Sequence, residues 1–294
     1  MSSQIQALRA KNATALFPGQ HAVVVGGTSG IGLGIAKRLA TTQFNVTIVG
    51  RNTQRGNEIV TELAALNPNG KHRFIPCDAT LLSNVKKTCE TLPPVDRLVL
   101  TQGMATIQGR TETAEGIDQK LSLHYYSRMT FIKGLLPELQ KQPSPRVLSV
   151  LSAGVHGAYE KYKEDPELKE NYSLKNAADA AGFYNDVMLD QFAIENKHIL
   201  FAHAAPGFVN TNWGTEMPWA IRQLLKPLKV FAKSPEDCAE AMCDVLLQSN
   251  AEVNAEKGRV VLIDENGGEA AANKHATPEA REFIFKHTLA RIWS

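Results

Sequence analysis

The chain has 294 residues, 43% of them hydrophobic and 21% charged, enough apolar material for one large α/β domain or two small ones. Thirty-two Lys and Arg against thirty Asp and Glu leave a net charge of +2, so no basic excess points to a nucleic-acid partner. The longest apolar stretches are strand-sized, about 5–8 residues against the ~20 that cross a bilayer, which excludes an integral membrane span.

Four cysteines, Cys77, Cys89, Cys238 and Cys243, are too few and too scattered for a disulfide framework, and none has zinc spacing. We expect reduced thiols and no metal. No apolar signal region opens the chain, and a cytoplasmic location is expected. Arg9 and Lys11, with no acidic residue before Glu58, leave a mitochondrial presequence as the alternative, although strand-like sequence already starts by His21.

In chain order, the β-branched apolar runs His21–Val25, Val46–Val49, His72–Ile75, Arg97–Leu100, Arg146–Leu151, Ile199–Ala204 and Arg259–Ile263 are predicted strands. Between them, apolar residues recur at helical spacing, as at Ile31, Ile35 and Leu39, or Ile59, Leu63 and Leu66. Strands alternating with helices predict a parallel sheet covered on both faces, a doubly wound Rossmann-type α/β fold. No linker or repeat divides it. We expect one domain over residues 1–294, with a core at about 17–267, an N-terminal extension at 1–16 and a C-terminal helical tail at 268–294. Two segments fall outside the alternation. Residues 212–234, rich in Trp, Leu and Phe, read as a packed amphipathic helix or as a lid over a pocket, and Thr277–Trp293 reads as a helix started by Thr277 and Pro278.

The first predicted strand runs into Gly26-Gly27-Thr28-Ser29-Gly30-Ile31-Gly32 and then into a predicted helix. Small residues there let the backbone turn sharply and approach a pyrophosphate lying at the positive helix N-terminus. The second strand ends at Gly50-Arg51-Asn52 without the carboxylate that would accept hydrogen bonds from a free ribose 2′-hydroxyl. Arg51 can instead make a bidentate contact with a 2′-phosphate, so NADP(H) is the expected cofactor.

The spacing Gly26-x3-Gly30-x-Gly32 resembles the glycine signature of the short-chain dehydrogenase/reductase family, with Val25 in place of its leading Thr. In that resemblance Asp78 and Ala79 meet the adenine edge, and Gly103 keeps a close backbone approach, although Leu100 and Thr101 replace two expected amides. Pro206-Gly207-Phe208-Val209-Asn210-Thr211 matches the family's P-G-x-V-x-T, which implies that Val209 holds the nicotinamide amide and that Thr211 meets a phosphate or the amide. The family reduces carbonyls or oxidises alcohols. A tyrosine exchanges the proton, a serine holds the oxygen, and a lysine lowers the phenol's pKa from about 10.

Ser152, at the end of the fifth strand, matches the serine. The expected Y-x-x-x-K is missing. Tyr159 and Lys163 have that spacing but fall in a charged stretch, 160–170, that reads as an exposed insertion. Tyr172 and Lys175 are the candidate pair, one residue short, a difference of about 100° around a helix axis. Tyr184 reads as packing. The position of the family's supporting Asn falls at His124, which either carries the same hydrogen bonds, shuttles a proton, or is satisfied inside a helix interface. Tyr125 and Tyr126 read as packing by default. The long interval between Ser152 and Tyr172 resembles the retinol-dehydrogenase-like branch. The resemblance implies an NADP(H)-dependent oxidoreductase acting on a small or lipophilic carbonyl or alcohol, with homo-oligomerisation left open. The alternative is a catalytically silent NADP(H)-binding sensor or scaffold of the same fold.

Overall fold

A computed structural model describes residues 3–211, 232–248 and 258–293. Its centre is β1 (His21–Val25), a valine-rich strand whose apolar residues are buried on both faces. Around it lie β2 (Asn45–Gly50), β3 (Arg73–Pro76), β4 (Arg97–Leu100), β5 (Arg146–Val150), β6 (Leu200–Ala204) and β7 (Val261–Ile263). The spatial order is β3-β2-β1-β4-β5-β6-β7, and every pairing is parallel. In register, Val25 lies beside both Val49 and Leu100, so β1, β2 and β4 finish at one edge of the sheet. From β1 the chain winds one way to β2 and β3, then crosses back to β4. A ligand crevice forms at such a reversal, outside the carboxyl ends of the strands.

Helices cover both faces, as parallel strands require. On one face lie α1 (Ser3–Thr14), α2 (Gly30–Thr41), α3 (Thr53–Leu66) and Pro235–Leu247, here α8. Ile35, Leu39, Ile59 and Leu63 bury the stripes expected of them, whereas Leu66 is exposed. On the other face lie α4 (Leu82–Thr91), α6 (Ser127–Leu139), α7 (Leu174–Glu195) and α9 (Pro278–Trp293). A short α5 (Gln119–Leu121) leads through a π turn, Ser122–Tyr126, into α6. Thr277 caps α9 by accepting the Ala280 N–H at 3.2 Å.

Two segments gain detail. The N-terminal extension contains a helix docked on α8: the buried Asn12 donates to the Glu240 carbonyl at 2.9 Å, and Arg9 pairs with Asp237 at 2.9 Å. The charged stretch 160–170 is an exposed insertion only in part: Glu160, Lys161, Lys163, Glu164, Lys169 and Glu170 are exposed, whereas Asp165, Glu167 and Leu168 are buried. The buried Asp165 carboxylate accepts backbone N–H groups of Lys169, Glu170 and Asn171 at 2.7–3.0 Å, and this turn buries Leu168. Among these charges Asp165 organises the backbone. The lid expected at 212–234 lies, as far as residue 231, outside the described residues, and its Trp213, Met217, Trp219 and Leu224 with it.

Candidate active site

The loops after β1, β2, β3, β4, β5 and β6 open into one cavity of about 610 Å³ at the carboxyl edge of the sheet. One wall is the glycine loop. Gly26 has φ +81°, and a Cβ there would come within 2.7 Å of the Gln102 amide nitrogen. A Cβ on Gly32 would lie 2.5 Å from the Gly26 carbonyl oxygen. Side chains are excluded because the loop is pressed against itself and the end of β4. Gly30 has φ +55° and starts α2 behind Ser29, whose side chain makes no capping bond, and the first turn carries no acidic residue. Ser29 therefore leaves the first N–H groups of α2 uncapped by its side chain, in a helix terminus that favours anions. Thr28, Ser29 and Ile31 line the same wall.

Arg51 lines the cavity beyond β2. Asn52 does not: its side chain caps α3 by accepting the Arg55 N–H at 2.9 Å. Beyond β3, Ala79 and Cys77 line the cavity, whereas the Asp78 carboxylate is turned onto Thr80, accepting its N–H at 3.0 Å and its hydroxyl at 2.8 Å. The far wall holds Gly103, Pro206, Gly207, Val209 and Thr211. Two arginines, Arg51 and Arg128, line the cavity, and no Asp or Glu among the described residues does so. A glycine cradle, an open helix N-terminus and two cations without a facing carboxylate fit an anionic dinucleotide.

His124 also lines the cavity, from the π turn. Its Nε2 accepts the Met104 N–H at 2.9 Å, and its carbonyl accepts from Asn185 Nδ2 at 2.9 Å. Burial, followed by the nearby Arg128, pushes its pKa down to about 3, so the ring is neutral. Ser152 is buried with its Oγ lacking a hydrogen-bond partner. A Cβ on Gly182 of α7 would sit 2.7 Å from that Oγ and 2.8 Å from His156 Cδ2, so the missing side chain leaves room for the serine and the imidazole. His156 faces Asp179, Nδ1 to Oδ1 at 3.5 Å.

Tyr172 and Lys175 have different partners. The Tyr172 hydroxyl donates to the Gln108 carbonyl at 3.4 Å, while the Lys175 ammonium, 82% exposed, pairs with Asp179. The cation at Tyr172 belongs to Lys120, whose Nζ lies 5.5 Å from the ring centroid and donates to the same Gln108 carbonyl at 2.8 Å. Ser152, Tyr172 and Lys175 are not among the residues lining the cavity. Tyr125, Tyr126 and Tyr184 are buried, and the Tyr184 hydroxyl donates to the Pro166 carbonyl at 3.2 Å.

The loop carrying Ser152 is held from behind. His203 of β6 accepts the Ser152 N–H on Nε2 at 3.2 Å and presents Nδ1 to Asp186 at 2.6 Å. The second oxygen of Asp186 accepts the Gly154 N–H at 3.3 Å. This buried pair therefore fixes the backbone on which Ser152 stands.

A model of the short chain dehydrogenase family matches residues 20–163. An oxidoreductase of Emericella nidulans is 38% identical over 202 residues, covering 67% of this chain and 60% of that protein. A short-chain dehydrogenase/reductase of Stachybotrys chartarum is 33% identical over 251 residues, covering 75% and 70%. This chain belongs to the short-chain dehydrogenase/reductase family. It spans about 60% of the length of the first curated relatives it matches. Human polyprenol dehydrogenase is 28% identical, covering 76% of this chain and 71% of that one. Among solved structures, an archaeal alcohol dehydrogenase from Thermococcus sibiricus, complexed with 5-hydroxy-NADP, superposes with a TM-score of 0.63 at 19% identity. It covers 86% of this chain and 99% of that one and shows the shared fold.

For a short-chain dehydrogenase/reductase, the groups that sequence reasoning missed are side chains from distant segments. Arg128 stands four residues after His124, a spacing that places two residues on one helical face and could have drawn attention to it. Lys120, four residues before His124, carries the same signal. His203 and Asp186 gave none, because they lie seventeen residues apart on a strand and a helix, with no local spacing to join them.

Proposed function

We propose that this chain is an NADP(H)-dependent oxidoreductase interconverting a carbonyl and an alcohol on a small or lipophilic substrate. One observation carries the cofactor choice: Arg51 lines the cavity just beyond β2, with no Asp or Glu of the described residues beside it. An acidic residue there would repel a 2′-phosphate, whereas a guanidinium binds it through two parallel hydrogen bonds. When bound, the cofactor supplies hydride. The chain's own residues must orient the carbonyl and deliver a proton to its oxygen. In this reading the nucleotide lies across the glycine loop, with Arg51 and Ala79 toward its adenosine and Gly103, Pro206, Gly207, Val209 and Thr211 toward its nicotinamide, while the Asn52 and Asp78 side chains hold the α3 cap and the turn at Thr80 behind the adenosine. Tyr172 donates the proton, Ser152 holds the oxygen, and Lys175 completes the set, with His124 as the next donor if Tyr172 is dispensable. Tyr172 is favoured by its place at the entrance to α7 and by the Lys120 ammonium at its ring.

NADPH should bind at least about tenfold tighter than NADH, which is about 1.4 kcal/mol, and Arg51→Asp should reverse the order. Equal affinities in the parent protein would overturn the assignment. A second reading, a silent NADP(H)-binding sensor, draws on the positions of Ser152, Tyr172 and Lys175 off the cavity lining. It gains if NADPH binds tightly yet is oxidised by no member of a carbonyl panel.

A further inference from the structure

Among the described residues, Arg128 is a buried charge without a counter-charge. Its side chain leaves the start of α6 and lies beneath the cavity, across the ends of β4 and β5. Nη1 donates to Ser149 Oγ at 2.7 Å and to the Val150 carbonyl at 2.9 Å, and Nη2 donates to the Gln102 carbonyl at 2.6 Å. All three acceptors are neutral, and Nε is buried with no partner. On the same face Lys120 is a second cation, engaged with carbonyl oxygens, and His124 is uncharged. From α7 and β6, Asp179 is taken by Lys175 and Asp186 by His203. Nothing in the described surroundings neutralises Arg128. A buried, unpaired charge is costly, and its field is little screened.

Its position decides what feels that field. Arg51, Cys77 and Ala79 line the β2–β3 end of the cavity, while Arg128, Gly103, Val150 and Leu151 line the β4–β5 end. A dinucleotide whose pyrophosphate sits at the N-terminus of α2 and whose adenosine extends toward Arg51 places its other nucleoside over Arg128. That nucleoside changes charge in the reaction: the oxidised nicotinamide is a cation and the reduced one is neutral.

We propose that the uncompensated Arg128 guanidinium makes this site hold the reduced nicotinamide more tightly than the oxidised one, so that the enzyme is loaded for reduction. The inference rests on the nicotinamide reading of the cavity and adds a direction to it. Arg128 acts as a determinant of cofactor redox state through its field, while its three hydrogen bonds tie together the ends of β4 and β5.

The test measures equilibrium Kd values of the full chain for four nucleotides: NADPH, NADP+, NADH and NAD+. Each reduced form should bind at least about tenfold tighter than its oxidised partner, which corresponds to about 1.4 kcal/mol. The ratio should be the same in both pairs, because the charge difference is on the nicotinamide and not on the 2′-phosphate. Arg128→Lys should keep the ratio, and Arg128→Met, checked for native circular dichroism, should bring it to within threefold. Parity in the parent protein overturns the proposal, as does an unchanged ratio in folded Arg128→Met. Equal weakening of both redox forms in that variant also overturns it, since that marks a phosphate or ribose contact. If Arg128→Met does not fold, the two parental ratios decide. A preference for NADH over NADPH would remove the role given to Arg51 while leaving the redox ratio, and this inference, intact. If none of the four nucleotides binds, both readings fall together.

Discussion

The two ends of the cavity are built differently. Toward β2 and β3, the wall consists of backbone that must come close: Gly26 packed against Gln102, Gly32 against Gly26, and the bare first turn of α2. Toward β4, β5 and β6, it takes in side chains brought from separate segments, His124 from a π turn and Arg128 from α6, with Ser152 off the lining on a loop held by His203 and Asp186. The first kind of wall depends on where a Cβ is forbidden, which leaves a local trace in the sequence. The second depends on which charges and hydroxyls meet across long chain separations, and local spacing carries little of that.

The contrast is broken most severely at the proton donor. Tyr172→Phe should lower turnover at least about a thousandfold, about 4 kcal/mol of transition-state stabilisation, with NADPH affinity unchanged within twofold. A phenol that acts only as charge develops contributes little to ground-state binding. Steady-state rates with any carbonyl the protein reduces, alongside a fluorescence titration of NADPH, would check this. Parental turnover in the variant would move the donor to His124 and make the β4–β6 end still less like its relatives.

At the other end, Gly32→Ala should act on binding rather than on chemistry. The added Cβ would stand 2.5 Å from the Gly26 carbonyl oxygen, so the loop must open away from the pyrophosphate position. We expect NADPH affinity to fall about a hundredfold, about 2.7 kcal/mol, in a protein that keeps its secondary structure. Unchanged affinity would mean that the glycine loop is not the nucleotide cradle.

The same division explains what the sequence made legible. The seven strands and their alternation with helices were readable because each strand is a short continuous apolar run between stretches of helical period, and all seven lie in one parallel sheet. The glycine loop was readable for the steric reason above. By contrast, Tyr172 and Lys175 are neighbours only in lying three apart on the chain, whereas the cation against the Tyr172 ring comes from Lys120, fifty-two residues earlier. Spacing within a helix could not disclose that contact. Asn52 illustrates a smaller ambiguity: a polar residue after a strand can face a ribose or cap the next helix, and its side chain makes the cap. The turn around Asp165 is a third case, since a carboxylate that collects backbone N–H groups looks, in one dimension, like a solvated charge.

Two half-buried neutral histidines, one at each edge of the sheet, offer the finest comparison. His21 opens β1, with Nε2 2.7 Å from Thr47 Oγ1, and its pKa is pushed down to about 4, first by burial and then by Arg73. His124 lines the cavity with its pKa pushed down to about 3. Both folded values lie below the ordinary 6.5, so below that pH the unfolded chain takes up a proton that the folded one refuses. The stability each neutral ring contributes is thus fully present above pH 6.5. It is lost as the pH falls, toward about 4 for His21 and about 3 for His124. Between pH 6.5 and 5 each should account for about 1.5 kcal/mol of lost stability. Urea unfolding of the parent, His21→Asn and His124→Asn across that range would read the two losses as differences in slope, whatever the absolute stability of the variants. The two variants should flatten the curve by similar amounts down to pH 5. Below pH 4 only His124→Asn should still depart from the parental slope, because His21 is by then protonated in the folded chain as well. A parental slope retained by His124→Asn would mean that its imidazole is protonated in the fold. The β4–β5 end of the cavity would then carry one more positive charge beside Arg128.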